Sequence, residues 1–581
     1  MAKSPPLEPV DDAEDTKRLL VIASIALGCW AALATVSNYS GLFEYHANYR
    51  NRPITGVMAL LAFVFAGHIV ALFIGLRIRS RRRLTELIVA VAVVFRLTIL
   101  PTVPIQELDI YRYLWDGAVT TTGTSPFRYS PKQVHDANAN APLPKDLAKL
   151  VKLRDNHPAL AEILSRVHYG DLPTIYPPVS QAVFAMASFM TPPEATLYQR
   201  VVILKAWFVA LDLATLWILI ALLRFTKRHV AWSIAYGWSP LVLKEIANAG
   251  HLDAIAVFLT MLAIYLAVRL FWPTTDEEPP SRRYAWMGAV LGLAVGAKLY
   301  PIILVPWVAF TAVRRRGWKT AGIMTGTTAA VVLATCWPML PRSHSPAAQQ
   351  PPAADTSVLH PPSVIDVSVQ DPSRGLSTFL RYWEMNDFLF MIVVENLKPM
   401  ADVAPQDTAW FSIVPESWRM RLLGPWSRAM QVSSRDAAFM MSRALTGFAF
   451  VALALALAWY AAQAKHPTVW LSYGFLTTAW FWLLAPTQNP WYWVWALPLV
   501  GFARSRVWLA MGGLVLIYYI RFWFSYQRPD QEVFGTAYRG TTFFDFVITW
   551  LEFAPWFLWL AIDWYRSRKP RTEQPVTQPS R

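Results

Sequence analysis

Residues 84–117 read LTELIVAVAVVFRLTILPTVPIQELDIYRYLWDG, and the abrupt change within this stretch decides the fold. The first half is an apolar run of membrane-spanning length, whereas the second half carries charged residues among aromatic ones: Glu107, Asp109, Arg112 and Asp116. A bilayer core about 30 Å thick requires roughly 20 apolar residues in a helix. Ionisable groups at this depth are costly and are usually functional. The stretch therefore predicts a membrane helix that opens onto a site.

The rest of the chain repeats the apolar half of this pattern. Of its 581 residues, 55% are hydrophobic and 16% are charged. Soluble domains typically carry about 25% charged residues, and here apolar runs of about 20 residues recur from end to end. The composition predicts an all-α polytopic membrane protein and excludes an ordinary soluble domain.

The formal net charge of +15 is concentrated in short clusters between the apolar runs. The clusters are RIRSRRR from Arg77, RFTKRH from Arg224, RRRGWK from Arg314, RSR from Arg504 and YRSRKPR from Tyr565. Lys and Arg between membrane spans favour cytoplasmic loops, whereas a nucleic-acid-binding surface would join them on one face. We therefore expect membrane lipids, and no nucleic acid, as partners.

This charge pattern also orients the predicted helices. The polar N-terminus and the lack of a convincing small-residue cleavage site favour a retained first helix with a cytoplasmic tail over a cleaved signal peptide. Helices near residues 19–38, 57–76 and 84–101 then place the following segment on the non-cytoplasmic side. We expect about 12–14 passes, with an even number preferred, in a bacterial inner membrane.

Two apolar segments are too short for ordinary crossings. QAVFAMASFM from Gln181 predicts a partial helix. About 30 residues separate Arg283 from Arg314, where two full crossings need about 40. A hairpin of short helices with AKLYP (297–301) at its tip accounts for this spacing. Such broken segments persist in membranes where they line protein or a wet cavity.

The chain divides into five predicted regions. They are a cytoplasmic tail (1–18), an N-terminal transmembrane module (19–337) with a catalytic external loop at 102–178, an external Pro-rich and polar loop (338–436), a C-terminal transmembrane module (437–564) and a basic cytoplasmic tail (565–581). The stretch RSHSPAAQQPPAADTSVLHPPS from Arg342 predicts a flexible external insert, because its composition cannot form a core. Cys29 and Cys336 indicate neither a disulfide framework nor a thiolate metal site.

Unusual polar and aromatic residues from several segments fall on one side of this topology. The set comprises Glu107, Asp109, Arg112, Asp116, Tyr176, His251, Asp253, Lys298, Asn386, Asp387, Asn489, Trp491 and Tyr492. Within it, ELD carries the candidate catalytic carboxylates: Asp109 as general base, with Glu107 orienting it or helping to hold Mg or Mn against a phosphate. The alternative is a pair of acids that stabilises a helix N-terminus. The residues leave the metal requirement open.

Each of the remaining charged residues has a functional and a structural interpretation. Arg112 could pair with Asp109 or bind phosphate, or it could belong to a surface ion-pair network with Asp116. His251 beside a helix start suits phosphate binding, whereas an N-capping Asp253 with a satisfied interfacial histidine is the alternative. Lys298, within an apolar run, needs an anionic partner or a wet cavity, unless it snorkels to the interface. The aromatic residues of YRYLW and NPWYW could form a membrane belt or stack on a sugar ring.

At these residues the chain resembles the GT-C superfamily of polytopic glycosyltransferases, and in particular prokaryotic members related to polyprenyl-phosphate-mannose-dependent mannosyltransferases. The matching stretches are ELDIYRYLWDG, IYPPVSQ, GHLDAIAVF, AKLYPIILVP, WEMNDFLF and NPWYWVWALPL, in this order. In that family an acidic motif in the first large external loop carries the essential carboxylate. The resemblance therefore implies this role for Asp109, with Glu107 as its partner, in a GT-C-like bundle. The Pro-rich insert and the polar region before residue 436 have no counterpart.

The resemblance implies an inverting hexosyltransferase, with mannose as the candidate sugar. It would use a polyprenyl-phosphate donor and a glycan or lipid acceptor on the non-cytoplasmic face. Lys298, Arg112 and the helix end at His251 would stabilise the departing phosphate. The residues assigned to the sugar, the acceptor or the lipid-proximal end are Tyr176, Asn386, Asp387, Trp491 and Tyr492.

Two other functional classes share parts of this pattern. A transporter or flippase for lipid-linked sugars would also contain broken helices and charges at membrane depth, although no internal repeat is evident in the sequence. An oligosaccharide ligase or polymerase would share the topology and the lipid-phosphate chemistry. The ELD segment counts against this last class.

Overall fold

The computed structural model describes residues 12–341, 368–400 and 403–568. Within these residues the chain is helical and contains no β-strand, with two isolated β-bridges as the sole extended pairings. This confirms the all-α fold class that the composition predicted. The Pro-rich stretch from Arg342, predicted as a flexible insert, lies outside the described residues.

Eight helices in the described residues are long and apolar enough to cross a membrane, judged by length and composition. They are Asp12–Tyr39, Ile54–Gly75, Leu197–Phe225, Asp253–Phe271, Tyr300–Met339, Ser434–Ala462, Trp508–Gln527 and Gly540–Arg568. The protein is therefore polytopic, as predicted. The remaining segments of the bundle are shorter, broken or more polar. They comprise Arg81–Ile99, Val230–Ser233, Ile234–Gly237, Pro240–Val242, the π-helix Leu243–Asn248, Ser281–Ala297, Pro467–Leu484, Pro490–Trp493 and Leu497–Phe502.

Short helices make up much of the two regions outside the bundle. In the first region they are Asp109–Thr121, Pro131–Asp136, Lys145–Asn156, Pro158–Ser165 and Pro178–Phe189; in the second they are Arg374–Tyr382, Leu389–Leu397 and Glu416–Met430. Single 3-10 turns lie at Tyr49–Asn51 and Pro405–Asp407.

Both segments predicted to be too short for full crossings are short in the structure. The first is the 12-residue helix Pro178–Phe189. The second is a hairpin in which the helix Ser281–Ala297 ends at Lys298 and a new helical segment starts at Tyr300. This second segment breaks again at Gly317, whose φ of 82° lies in the left-handed region that favours glycine. The spacing of the basic clusters therefore predicted the hairpin correctly.

The basic clusters from Arg77 and Arg224 and the segment before the cluster from Arg504 meet at one end of the bundle. A ring nitrogen of His229 lies 3.0 Å from the Ile78 carbonyl, and Arg228 donates to the Gly501 carbonyl. The carboxylate of Asp12 accepts a hydrogen bond from the backbone N–H that directly follows Ile78. Clusters far apart in sequence are thus gathered at one level, as a common side of the membrane requires.

One buried apolar cluster runs through both predicted transmembrane modules, from Leu19 to Trp556. Between the modules, Trp307 stacks on Trp470 with ring centroids 3.6 Å apart, and the Trp470 indole N–H donates to Thr311 at 2.8 Å. Burial of such large aromatic side chains dominates core energetics. The two modules therefore share a single core.

Candidate active site

A cavity of about 1060 Å³ lies at the end of the bundle away from the basic clusters. The helix Arg81–Ile99 starts within a basic cluster and ends just before the ELD loop, which lines the cavity. The hairpin tip at Lys298 and the NPWYW segment line the cavity as well. Segments from both halves of the chain therefore build one site.

Buried polar groups hold the start of the ELD loop in place. The Lys205 ammonium donates to the Thr102 carbonyl at 2.8 Å, and the Asn248 side chain accepts from the backbone N–H of Ile105 at 3.0 Å. Lys205 and Asn248 are both fully buried. Buried hydrogen bonds of this kind are costly to break, so the loop has a defined path into the cavity.

The loop turns sharply at Gln106, which has a φ of 67°. A non-glycine residue in this left-handed region costs about 1–3 kcal/mol and persists where its surroundings hold it. Arg52 supplies such a contact by donating to the Gln106 side-chain oxygen. The turn directs Glu107 and Asp109 to the cavity wall.

Asp109 is the first residue of the helix Asp109–Thr121. Its Oδ2 atom accepts hydrogen bonds from the hydroxyls of Tyr176, at 3.2 Å, and Tyr113, at 3.4 Å. The Tyr113 ring is itself fixed by stacking on Phe184, with centroids 4.9 Å apart. The positive end of a helix dipole favours a carboxylate here. Asp109 is thus a carboxylate at the cavity wall with a fixed orientation, which suits it to accept a proton.

Glu107 is a buried carboxyl group beside Asp109. Burial raises its pKa well above the ordinary range; Lys244 opposes this effect, and Glu245 and Asp109 add to it. Its Oε1 atom has no hydrogen-bond partner among the described residues. A carboxyl group in such a setting favours its neutral form. Glu107 and Asp109 therefore lie in different environments although they are only two positions apart in the sequence.

The described donors do not fit a resident Mg or Mn ion. Among residues 12–341, 368–400 and 403–568, no group of three or more His, Cys, Asp or Glu side chains is placed to hold a metal.

Lys298 at the hairpin tip has both an anionic partner and a cavity, the two conditions that its apolar sequence context suggested. Its ammonium lies 2.7 and 2.8 Å from the two carboxylate oxygens of Asp253. It also lies 4.4 Å from the ring centroid of Tyr492 and 5.2 Å from that of Trp495. The Trp495 indole N–H donates to Asp253, so the whole group is ordered. Lys298 therefore presents a fixed cation to the cavity.

His251 lies behind the cavity lining. Its ring stacks on Trp491, with centroids 4.1 Å apart, and its Nε2 atom lies 3.4 Å from a carboxylate oxygen of Glu245. Glu245 also accepts from the Tyr519 hydroxyl at 2.6 Å, and Lys244 contacts the same hydroxyl. Trp491 lines the cavity and His251 does not. His251 is thus placed to act through Trp491, with the buried pair Lys244 and Glu245 behind it.

Arg112 pairs with Asp116, at 3.0 Å, and not with Asp109 as its spacing also allowed. Spacing allows both pairs, since residues three and four positions apart are neighbours on a helix. The Leu172 carbonyl accepts a hydrogen bond from the other end of the guanidinium at 2.9 Å and so holds Arg112 beside Asp116. Gln181 donates to Asp116 at 3.1 Å. Burial raises the pKa of Asp116, although Arg112 opposes the shift. This buried pair ties the Asp109 helix to its neighbours; Arg112 contacts a small side pocket, not the main cavity.

Asn386 and Asp387 are buried next to the cavity wall, not in it. Their neighbour Met385 lines the cavity and pairs with Thr487 through an isolated parallel bridge. Asn386 has a φ of 50°, and burial together with Glu384 raises the pKa of Asp387. Both side chains therefore lie behind the cavity wall and support it.

Several cavity residues escaped the sequence interpretation. They include Tyr49, Arg52, Arg443, Arg521 and Tyr526. Arginine and aromatic residues near span ends are ordinary belt and loop residues in sequence, so they carried no signal. Lys244 and Glu245 did carry a sequence signal, because the charged stretch KEIAN interrupts an apolar segment predicted to lie in the membrane.

Residues 17–314 match a family model described as "Alpha-(1->6)-mannopyranosyltransferase, N-terminal domain". The match covers just over half of the chain and includes ELD, GHLDA and Lys298. The comparisons with curated proteins and with solved structures found no match.

Proposed function

Because the chain belongs to the alpha-(1->6)-mannopyranosyltransferase family, we propose that it transfers mannose from a polyprenyl-phosphate donor to a glycan or lipid acceptor on the non-cytoplasmic face of the membrane. Membership makes the protein a mannosyltransferase and favours this class over the transporter and ligase alternatives. The donor, the face and the residue roles are the proposal.

The observation that carries the proposal is the position of Asp109 at the wall of a cavity lined by both apolar and polar side chains. Asp109 is held by two tyrosine hydroxyls, and Lys298 lines the same cavity. A base and a phosphate-binding cation within one cavity are the groups that glycosyl transfer from a sugar phosphate needs.

The apolar part of the cavity lining supports a lipid-linked donor. The helix Arg374–Tyr382 contributes Leu376 and Leu380, and the helix Ser434–Ala462 contributes Gly447 and Phe450. A Cβ atom added at Gly447 would meet no atom within 4 Å. Open space beside apolar side chains suits a prenyl chain, because burying each CH₂ group contributes about 0.8 kcal/mol.

In the proposed mechanism, an acceptor hydroxyl gives its proton to Asp109 as its oxygen attacks the anomeric carbon of the donor mannose. The bond between that carbon and the phosphate oxygen breaks, and polyprenyl phosphate leaves with the electron pair. Attack opposite the leaving group inverts the anomeric configuration. Lys298 stabilises the developing phosphate charge, and Tyr113 and Tyr176 keep the Asp109 carboxylate in position.

The test compares wild type with Asp109→Asn in nanodiscs, using radiolabelled polyprenyl-phosphate mannose and a pool of glycan acceptors. Loss of a general base lowers the rate about 10²–10⁴-fold, so we expect transfer by the variant to fall by at least about 100-fold. The exposed carboxylate of Asp171, outside the cavity lining, provides the matched control Asp171→Asn, which should transfer normally.

Two results would contradict the proposal. Undiminished transfer by a folded Asp109→Asn variant would show that Asp109 is not the general base and only stabilises the helix end. Transfer from a labelled nucleotide mannose, with none from the polyprenyl-phosphate sugar, would overturn the donor.

A further inference from the structure

One part of the cavity lining is aromatic and polar. It is lined by Tyr45, Tyr49 and Arg52 from the loop after the first helix, and by Phe522, Ser525 and Tyr526 from the helix Ile520–Gln527. The helix Ile520–Gln527 lies outside the residues matched by the family model. The match alone therefore does not assign this part of the cavity.

The aromatic rings in this part are arranged as a platform. Tyr49 and Tyr526 stack with centroids 5.3 Å apart and an interplanar angle of 19°. The Arg52 guanidinium lies 4.4 Å from the Tyr49 ring centroid. Segments about 475 residues apart in sequence thus meet in one stacked group.

This platform connects directly to the catalytic loop. Arg52 donates to the Gln106 side chain and, at 3.2 Å, to the Glu44 carbonyl. Its Nε atom is buried and has no hydrogen-bond partner within the described ranges. Gln106 immediately precedes Glu107 at the cavity wall. A molecule on the platform therefore lies beside the loop that carries the proposed base.

We infer that the platform of Tyr49, Arg52 and Tyr526 is the acceptor subsite, and that it binds a neutral oligosaccharide. This inference rests on the proposed function and deepens it. The C–H faces of a sugar ring pack on tyrosine rings, and its hydroxyls accept hydrogen bonds from a guanidinium. A prenyl chain has no polar group that could bond to Arg52, whereas every sugar hydroxyl can accept a hydrogen bond. An acceptor bound there would lie beside the loop that carries Asp109.

The test measures each substrate separately in Tyr49→Ala and Tyr526→Ala. We expect the KM for an α-(1→6)-linked mannohexaose acceptor to rise about tenfold, while the KM for polyprenyl-phosphate mannose changes less than about twofold. Tyr526→Phe keeps the stacked ring and should restore the acceptor KM. Tyr39→Ala is the matched control, because Tyr39 is 85% exposed and does not line the cavity.

Calorimetric titration of the unlabelled mannohexaose provides a measurement that does not depend on transfer. Binding weakened about tenfold in both alanine variants supports the subsite, even if the donor proves to be another mannose compound. The inference is overturned if wild type does not bind mannohexaose, or if the two variants bind it as wild type does. A rise in donor KM with an unchanged acceptor KM would likewise overturn it.

Discussion

At the scale of single residues, Glu107 and Asp109 show how two carboxyl groups in one motif acquire different chemistry. Asp109 sits at a helix N-terminus with two tyrosine donors, whereas Glu107 is buried with an unpaired oxygen. Burial, opposed by Lys244, raises the pKa of Glu107 well above its ordinary range. Pairs whose environments differ in this way can divide acid and base roles.

The raised pKa of Glu107 predicts that Glu107→Gln stabilises the protein at neutral pH. The pKa of this carboxyl is higher in the folded protein than in the unfolded chain. The free energy of unfolding is therefore largest below the unfolded-state pKa, where both states are protonated, and it falls as the pH rises toward the folded-state pKa. Glutamine mimics the neutral acid and avoids this loss. We expect the melting temperature at pH 7.5 to rise by roughly 2 °C, with the difference vanishing near pH 4.

The control is Glu194→Gln, which replaces an exposed carboxylate and should leave the melting temperature unchanged at both pH values. A lower melting temperature for Glu107→Gln at pH 7.5 would show that Glu107 is ionised and stabilising in the folded protein. Transfer assays on the same samples report whether its carboxyl is also needed for chemistry.

At the scale of elements, the helices of the bundle differ in whether the space beside their glycines could hold a side chain. Most glycines at helix contacts have no room for a side chain; at Gly288, for example, a Cβ would lie 2.4 Å from the Met324 carbonyl oxygen. Gly447 and Gly326, in the helices Ser434–Ala462 and Val305–Cys336, have open space instead. Of these two, only Gly447 lines the cavity.

Gly447→Leu should therefore block the donor without harming the fold. Leucine is about 1 kcal/mol better than glycine in a helix interior, and its side chain would project into the apolar part of the cavity. We expect the KM for polyprenyl-phosphate mannose to rise about tenfold, measured in nanodiscs. A donor with a truncated prenyl chain should be affected much less.

Gly326→Leu is the matched control, since it adds the same side chain to another open helix position outside the cavity. Equal effects of the two substitutions would indicate a general disturbance of the bundle. No effect of Gly447→Leu on the long-chain donor would place the prenyl chain elsewhere.

At the scale of the whole molecule, the basic clusters and the cavity lie at opposite ends of one bundle. The clusters at Ile78, Arg228 and Gly501 are joined by hydrogen bonds, and the helix Arg81–Ile99 leads from them to the ELD loop. Positive charge between spans favours the cytoplasm. The whole molecule therefore predicts a site that faces away from the cytoplasm.

Cysteine labelling tests this orientation. In a background with Cys29→Ala and Cys336→Ala, exposed positions are converted one at a time. They are Asn140→Cys, in the loop predicted to be external, and Arg83→Cys, in a basic cluster. A membrane-impermeant maleimide should label the Asn140→Cys protein in intact spheroplasts and the Arg83→Cys protein after permeabilisation. The reverse result would place the cavity on the cytoplasmic side.

From the sequence alone, run lengths and basic clusters determined the helical bundle, the partial helix Pro178–Phe189 and the hairpin at Lys298. These features depend on local hydrophobicity and on chain length, both of which a sequence displays directly. The polar and aromatic residues at predicted span ends also included a set that lines the cavity together: Glu107, Asp109, Tyr176, Lys298, Asn489, Trp491 and Tyr492.

The tertiary structure alone decided which of the possible contacts each residue makes. It paired Arg112 with Asp116, placed His251 behind Trp491 and brought Tyr49 onto Tyr526. Except for the i,i+4 pair, these contacts join residues hundreds of positions apart, and hydrophobic periodicity carries no information about such partners. Packing decided which of these residues reach the cavity wall, because the bundle sets which helix ends meet.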